Sequence, residues 1–209
     1  MIDPGLSLVL YPTFTMTDNC FVDITIEFLT VAFHNILYYA SVYPKSVFET
    51  RKKYSVVVYR CIHPEVNQYL DLCLKNIAEC LKSEQLRRAE FSVTDENYKP
   101  VINFVFDFEK HKQSDENSDA YLIQAEQNLR AFCLNLVSNS DKFLVPDDCS
   151  FSIFIHTNES NAVALANNPE LEDFPFVEVE GVAEEINNII PLRRFNLRCY
   201  NIDTYVEIK

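Results

Sequence analysis

With 209 residues and a formal net charge of −13, the chain lacks the clustered Lys and Arg that a protein needs to grip nucleic acid by itself. Only two glycines occur, against a usual share of roughly 7%, which excludes the glycine-rich loops that let backbone approach phosphate. A composition of 48% hydrophobic and 23% charged residues suits one globular domain with, at most, an appendage.

The basic clusters are short: Arg51, Lys52 and Lys53; Arg87 and Arg88; Arg193 and Arg194 with Arg198. Each reads as solvated surface charge. Seven cysteines, with no CxxC spacing, read as reduced core residues of an intracellular protein. Asp3, Pro4 and Gly5 interrupt the start of the chain where a secretory leader would need a basic and then an apolar stretch.

Residues 1–17, with Pro4, Gly5 and Pro12, read as a loosely held N-terminal extension. A helix follows, with Thr17 or Asp18 as N-cap, and ends before Pro44. It is apolar on nearly every side, as a central core helix is. Asp23, Glu27, His34 and Asn35 make it a poor membrane span. A basic and aromatic piece and a β-branched run (55–59) form a hairpin-like connection to a second helix, which begins near Pro64. Val66, Leu70, Cys73, Leu74, Ile77 and Leu81 give that helix one core face.

Residues 86–94 alternate as a half-buried strand, 101–108 alternate again with Ile102, Phe104, Phe106 and Phe108 on one face, and together they predict an antiparallel pair. Ser118 can cap a third helix with a core stripe of Leu122, Ala125, Leu129, Phe132, Cys133 and Leu136, leaving Arg130 outside it. Phe151, Ile153 and Ile155 mark another strand, ending at His156. Three helices beside an antiparallel sheet make an α+β architecture. Residues 158–192 then change character, rich first in Asn and Ala and later in acidic residues with scattered apolar beads. So long an irregular stretch is either functional or unstructured. A strand-like run closes the chain from 200 to 208.

No complete catalytic set is visible. The histidines at 34, 63, 111 and 156 form no metal-ligand or nucleophile spacing. Cys61 with His63 is the nearest pair and defines a remote rival, a cysteine-dependent hydrolase. The expectation is a non-enzyme with no cofactor and no metal.

VAFHNILYYASVYP, FETRKKYSVVV and CIHPEVNQYL, followed by EQNLRAF (126–132), DFP (173–175) and IPL (190–192), together resemble the HORMA-domain family. The likeness runs from about residue 18 to the C-terminus, and within the family it is strongest to the branch that serves as accessory subunit of DNA polymerase zeta. It implies a HORMA domain over 18–209, whose residues 158–209 are a safety belt and terminal strands wrapping a partner peptide. The implied activity is that of a non-catalytic adaptor, working in translesion synthesis and DNA repair. It would hold a peptide of the polymerase zeta catalytic subunit and bridge it to the C-terminal domain of a scaffold translesion polymerase.

On the matching positions, Tyr43, Tyr69 and Phe176 would bind the partner peptide, Phe176 standing where the family has Trp. Ile189, Asp203 and Tyr205 would form the second-partner interface, with Asp203 in place of Gln, a pure acceptor in place of an amide. Arg130 and Ser41 would lie at a HORMA homo- or heterodimer and remodeller interface, Ser41 replacing an acidic residue. The resemblance implies residence in the nucleus, with the cytoplasm also open, and no direct contact with nucleic acid or membrane. A spindle-checkpoint, meiotic-axis or double-strand-break-repair adaptor of the same fold is the rival reading.

Overall fold

The computed structural model describes residues 18–110, 118–157, 185–197 and 200–209. Helix α1 (Asp18–Tyr39) is the centre of the molecule. Phe28, Leu29, Phe33, Ile36 and Leu37 are all fully buried, as expected of a helix apolar on every side. By length and composition α1 would cross a membrane, but here most of it is covered by the rest of the fold. It stops earlier than Pro44 requires. Ser41 adopts φ 55°, and Val42 N–H donates to the Leu37 carbonyl at 3.1 Å, a left-handed cap that satisfies the terminal carbonyls.

Strands β1 (Phe48–Lys53) and β2 (Val56–Cys61) form a hairpin through Tyr54 and Ser55, both at positive φ (49° and 58°). That turn ordinarily favours Asn-Gly. Here the buried Tyr54 is held by packing, and its hydroxyl meets Glu27 Oε1 of α1 at 3.3 Å. Helix α2 (Pro64–Lys82) starts at its proline with Glu65 in the first turn and buries the anticipated face.

Strands β3 (Arg88–Thr94), β4 (Pro100–Lys110), β5 (Ser150–His156), β6 (Asn188–Leu197) and β7 (Tyr200–Ile208) build an antiparallel sheet in the order β5-β3-β4-β7-β6. Helix α3 (Ser118–Ser138) packs beside α1, against β6 and β2. The three helices and the antiparallel sheet are the α+β layers expected from the sequence. Aromatic rings weld them together: Phe28 meets Phe106, Phe132 and Phe195 edge-on at centroid distances of 6.0, 4.9 and 5.7 Å.

The structure corrects three local expectations. Val105 is 1% exposed, and Ser92, Thr94 and Asn103 are buried too, so β3 and β4 are covered on both faces rather than half-buried. Their polar groups pair across strands instead of facing water: Ser92 Oγ donates to Asn103 Oδ1 at 2.8 Å, and Thr94 and Ser150 hydroxyls meet at 2.8 Å. Leu122 is 42% exposed because it lines an open cleft between α1, the β1–β2 turn and α3, not the core. Local pattern does not mark strand β6, although the family resemblance implied terminal strands in this part of the chain. Pro191 and the charged Arg193 and Arg194 argue against a strand, yet an edge strand with a bulge between Pro191 and Arg193 accommodates them.

Candidate partner-binding site

The order of strands gives the sheet two unlike edges. The C-terminal hairpin β6–β7 docks on β4, so β5 ends the sheet on the other side, and among the described residues no strand pairs with its outer edge. Antiparallel pairing sends the main-chain groups of alternate residues to opposite sides. His156 accepts through its carbonyl from Arg87 N–H at 2.9 Å, so the even-numbered residues of β5 face β3. Phe151, Ile153 and Ile155 therefore present their N–H and C=O groups outward. An exposed ladder of this kind adds an extended peptide as a further strand.

Two predicted peptide-binding residues converge on this edge. Tyr69 projects from α2 and meets Phe151 edge-on at 5.4 Å, and Tyr43, just beyond the α1 cap, meets the same ring at 6.2 Å. Phe151 is in turn stacked on Phe91 at 4.9 Å. Tyr69 Oη accepts a hydrogen bond from Ile153 N–H at 3.2 Å. Burial pushes the Tyr69 phenol up to about 12 and raises that of Tyr43, so both are neutral hydroxyls on an apolar lining. Phe176, the third member, lies outside the described residues. Phe151 itself was read only as a strand marker. Its site role follows from β5 being the outermost strand, which no local pattern reveals.

The rival nucleophile does not form. Cys61 is fully buried, and its N–H donates to His34 Nδ1 at 3.2 Å, while His63 is exposed ahead of α2. Burial, and then the nearby Arg60, lower His34 to about 4, so it is the neutral acceptor this bond needs.

Register brings the second predicted set together. Pro191 pairs with Tyr205, Arg194 with Asp203 and Ile189 with Glu207, which puts Ile189, Asp203 and Tyr205 on one face of the hairpin. Ile189 is 53% exposed there. The Tyr205 hydroxyl is already engaged, donating to Asp107 Oδ2 at 2.9 Å and accepting from Arg88 Nη2 at 3.0 Å. Arg88 also grips Asp107 through two bonds of 2.6 and 3.1 Å. Sequence reasoning missed this three-strand network, because cross-strand neighbours become visible only with the register.

Arg130 is exposed on α3 in line with the exposed Ile123, Leu134 and Val137, which recur at helical spacing on one side. Ser41 is exposed at the end of α1. The opposite side of α3 holds the C-terminal hairpin. Asn135 Nδ2 donates to the Leu192 carbonyl at 2.5 Å, and Arg193 Nη2 donates to Asn128 Oδ1 at 2.8 Å. Two asparagines seven residues apart on the packed side of a helix were the available signal for that contact.

A family model described as HORMA domain matches residues 22–145. The rat protein called mitotic spindle assembly checkpoint protein MAD2B is 34% identical over 88% of this chain and 89% of its own length. The Drosophila melanogaster DNA polymerase zeta subunit 2 is 24% identical over 82% of this chain and 89% of its own. Among solved structures, a chain of the mitotic checkpoint complex superposes with a TM-score of 0.74 at 17% identity, covering 90% of this chain and 98% of its own. Caenorhabditis elegans HTP-2, solved bound to the HIM-3 closure motif, superposes at 0.69 and 12% identity, covering 100% and 98%. The chain belongs to the HORMA-domain family, in the branch of the MAD2B proteins.

Proposed function

We propose that the chain is a non-catalytic HORMA adaptor subunit of DNA polymerase zeta, and that it captures an extended segment of the catalytic subunit along the outer edge of β5. One observation carries this reading: the C-terminal hairpin occupies the β4 side of the sheet, leaving the outward groups of Phe151, Ile153 and Ile155 beside Tyr43 and Tyr69. Main-chain bonding at such an edge supplies affinity, and the aromatic lining supplies selectivity. The polymerase zeta subunit relative from Drosophila supports the assignment to that complex. In this reading residues 158–184 close over the bound segment as a belt, with Phe176 completing the aromatic lining, and release requires the belt to open.

The hairpin face of Ile189, Asp203 and Tyr205 would receive the C-terminal domain of a scaffold translesion polymerase. Asp203 offers only acceptors, so the partner must bring a donor. The α3 side bearing Arg130, together with Ser41, would receive a second HORMA domain or a remodeller. Arg is suited to that role by its planar fork and weak hydration. The work is organisational and nuclear, in translesion synthesis and DNA damage repair, with DNA held by partners and not by this acidic chain.

The test is affinity capture from nuclear extract with the wild-type chain and a Tyr69→Ala/Phe176→Ala variant, read by mass spectrometry. Recovery of the polymerase zeta catalytic subunit by the wild type alone supports the reading. Recovery of spindle-checkpoint or chromosome-axis proteins in its place transfers the same edge chemistry to the rival reading and removes the polymerase assignment.

A further inference from the structure

The capture edge is not bare. Of the three β5 residues whose main-chain groups face outward, the central one is already engaged, because Ile153 N–H donates to Tyr69 Oη at 3.2 Å. The ring cannot swing without cost, since Phe151 meets it edge-on at 5.4 Å, and Phe151 is itself stacked on the fully buried Phe91. A phenol oxygen that accepts from an outward edge amide stands where an added strand would place its own carbonyl oxygen.

We propose that the Tyr69 hydroxyl is a built-in cap on the capture edge, and that a partner segment binds by displacing it, one of its main-chain carbonyls taking over the Ile153 N–H. The inference deepens the edge-capture reading above and rests on it. The cap has two consequences. Before capture it removes the middle donor of an exposed ladder, the feature through which sheet edges pair indiscriminately. During capture it sets a threshold, because the incoming strand must supply enough bonding at Phe151 and Ile155 to outweigh the lost Tyr69–Ile153 bond. Ring and hydroxyl then act in opposite directions. The ring is part of the aromatic lining and aids binding, whereas the hydroxyl competes with the partner.

Overlapping synthetic peptides tiling the polymerase zeta catalytic subunit of the same organism provide the probe. They are titrated by fluorescence anisotropy against the full-length wild type, Tyr69→Phe and Tyr69→Ala. Amide exchange at Ile153 is followed by NMR in the free proteins, and thermal melts verify folding. Tyr69→Phe is expected to bind the best peptide roughly two- to tenfold more tightly, the range of one net hydrogen bond. Its Ile153 amide exchanges faster than in the wild type, and Tyr69→Ala binds more weakly than the wild type. Equal or weaker binding by Tyr69→Phe, or unchanged exchange at Ile153, overturns the cap while leaving edge capture intact. Failure of every peptide to bind the wild type overturns edge capture itself, and the competition with it.

Discussion

The two edges of the sheet share a layer and differ in almost everything else. At one, β6 carries Pro191, which has no N–H to offer, a bulge, and the charged Arg193 and Arg194, all devices that discourage another strand from pairing. Asn135 and Arg193 tie that edge to α3. At the other, β5 has neither proline nor bulge along its pairing with β3, and its outward groups lie beside Tyr43 and Tyr69. A chain that closes one edge with its own C-terminal hairpin and leaves the opposite one furnished with aromatics has the arrangement that the edge-capture proposal requires.

The largest effect expected comes from the aromatic supports beneath the two edges. Phe28 underlies the hairpin side through Phe195, whereas Phe91 underlies β5 through Phe151. Phe28→Ala and Phe91→Ala should each cost about 3–5 kcal/mol in chemical denaturation. Only Phe91→Ala should also weaken peptide binding under conditions where the protein stays folded, since Phe151 then loses its stack. Equal binding defects in both would erase the distinction between the edges.

Acid should destabilise the junction of α1 and β2, which serves both edges alike. His34 titrates near 4 in the folded chain against 6.5 unfolded, so protons bind the unfolded state more readily. Its contribution is complete above pH 6.5 and is lost as pH falls through 4, amounting to about 3 kcal/mol. Urea melts at stepped pH should show this loss in the wild type and a flattened dependence in His34→Asn.

Proline scanning sharpens the comparison at single-residue resolution. Ser152 turns its N–H toward β3 and Ile153 turns its own outward. Ser152→Pro should destabilise the fold by roughly 2–4 kcal/mol, whereas Ile153→Pro, which loses only the Tyr69 bond and some core packing, should cost less, about 1–2 kcal/mol, and abolish peptide binding. The smallest effect belongs to the closed edge: Asn135→Ala should cost about 1 kcal/mol and speed amide exchange on β6 without altering β5.

Local pattern made much of the fold legible. Pro64 with Glu65 announced the start of α2, the stripe from Val66 to Leu81 its buried face, and the alternation at Phe151, Ile153 and Ile155 a strand. Neighbours across strands were less legible. Nothing in SFSIFIH states that this strand lies outermost, and that position is what sets Tyr69 beside an open sheet edge. β6 was hidden because strand propensity and edge protection oppose each other in IIPLRRF. Ser92, Asn103 and Val105 looked half-exposed because alternation describes one covered face, whereas these strands are central and covered on both. The family resemblance supplied Tyr43, Tyr69 and the second-partner set, while the engagement of the Tyr205 hydroxyl by Asp107 and Arg88 required the register.

The most direct test of edge capture is residue-resolved amide exchange of the wild-type chain with and without a binding peptide from the polymerase zeta catalytic subunit. Edge capture requires that the Phe151 and Ile155 amides become protected on peptide addition while the amides of β6 keep their free-state rates. Protection gained on β6 with none on β5 would place the partner on the wrong edge and contradict it.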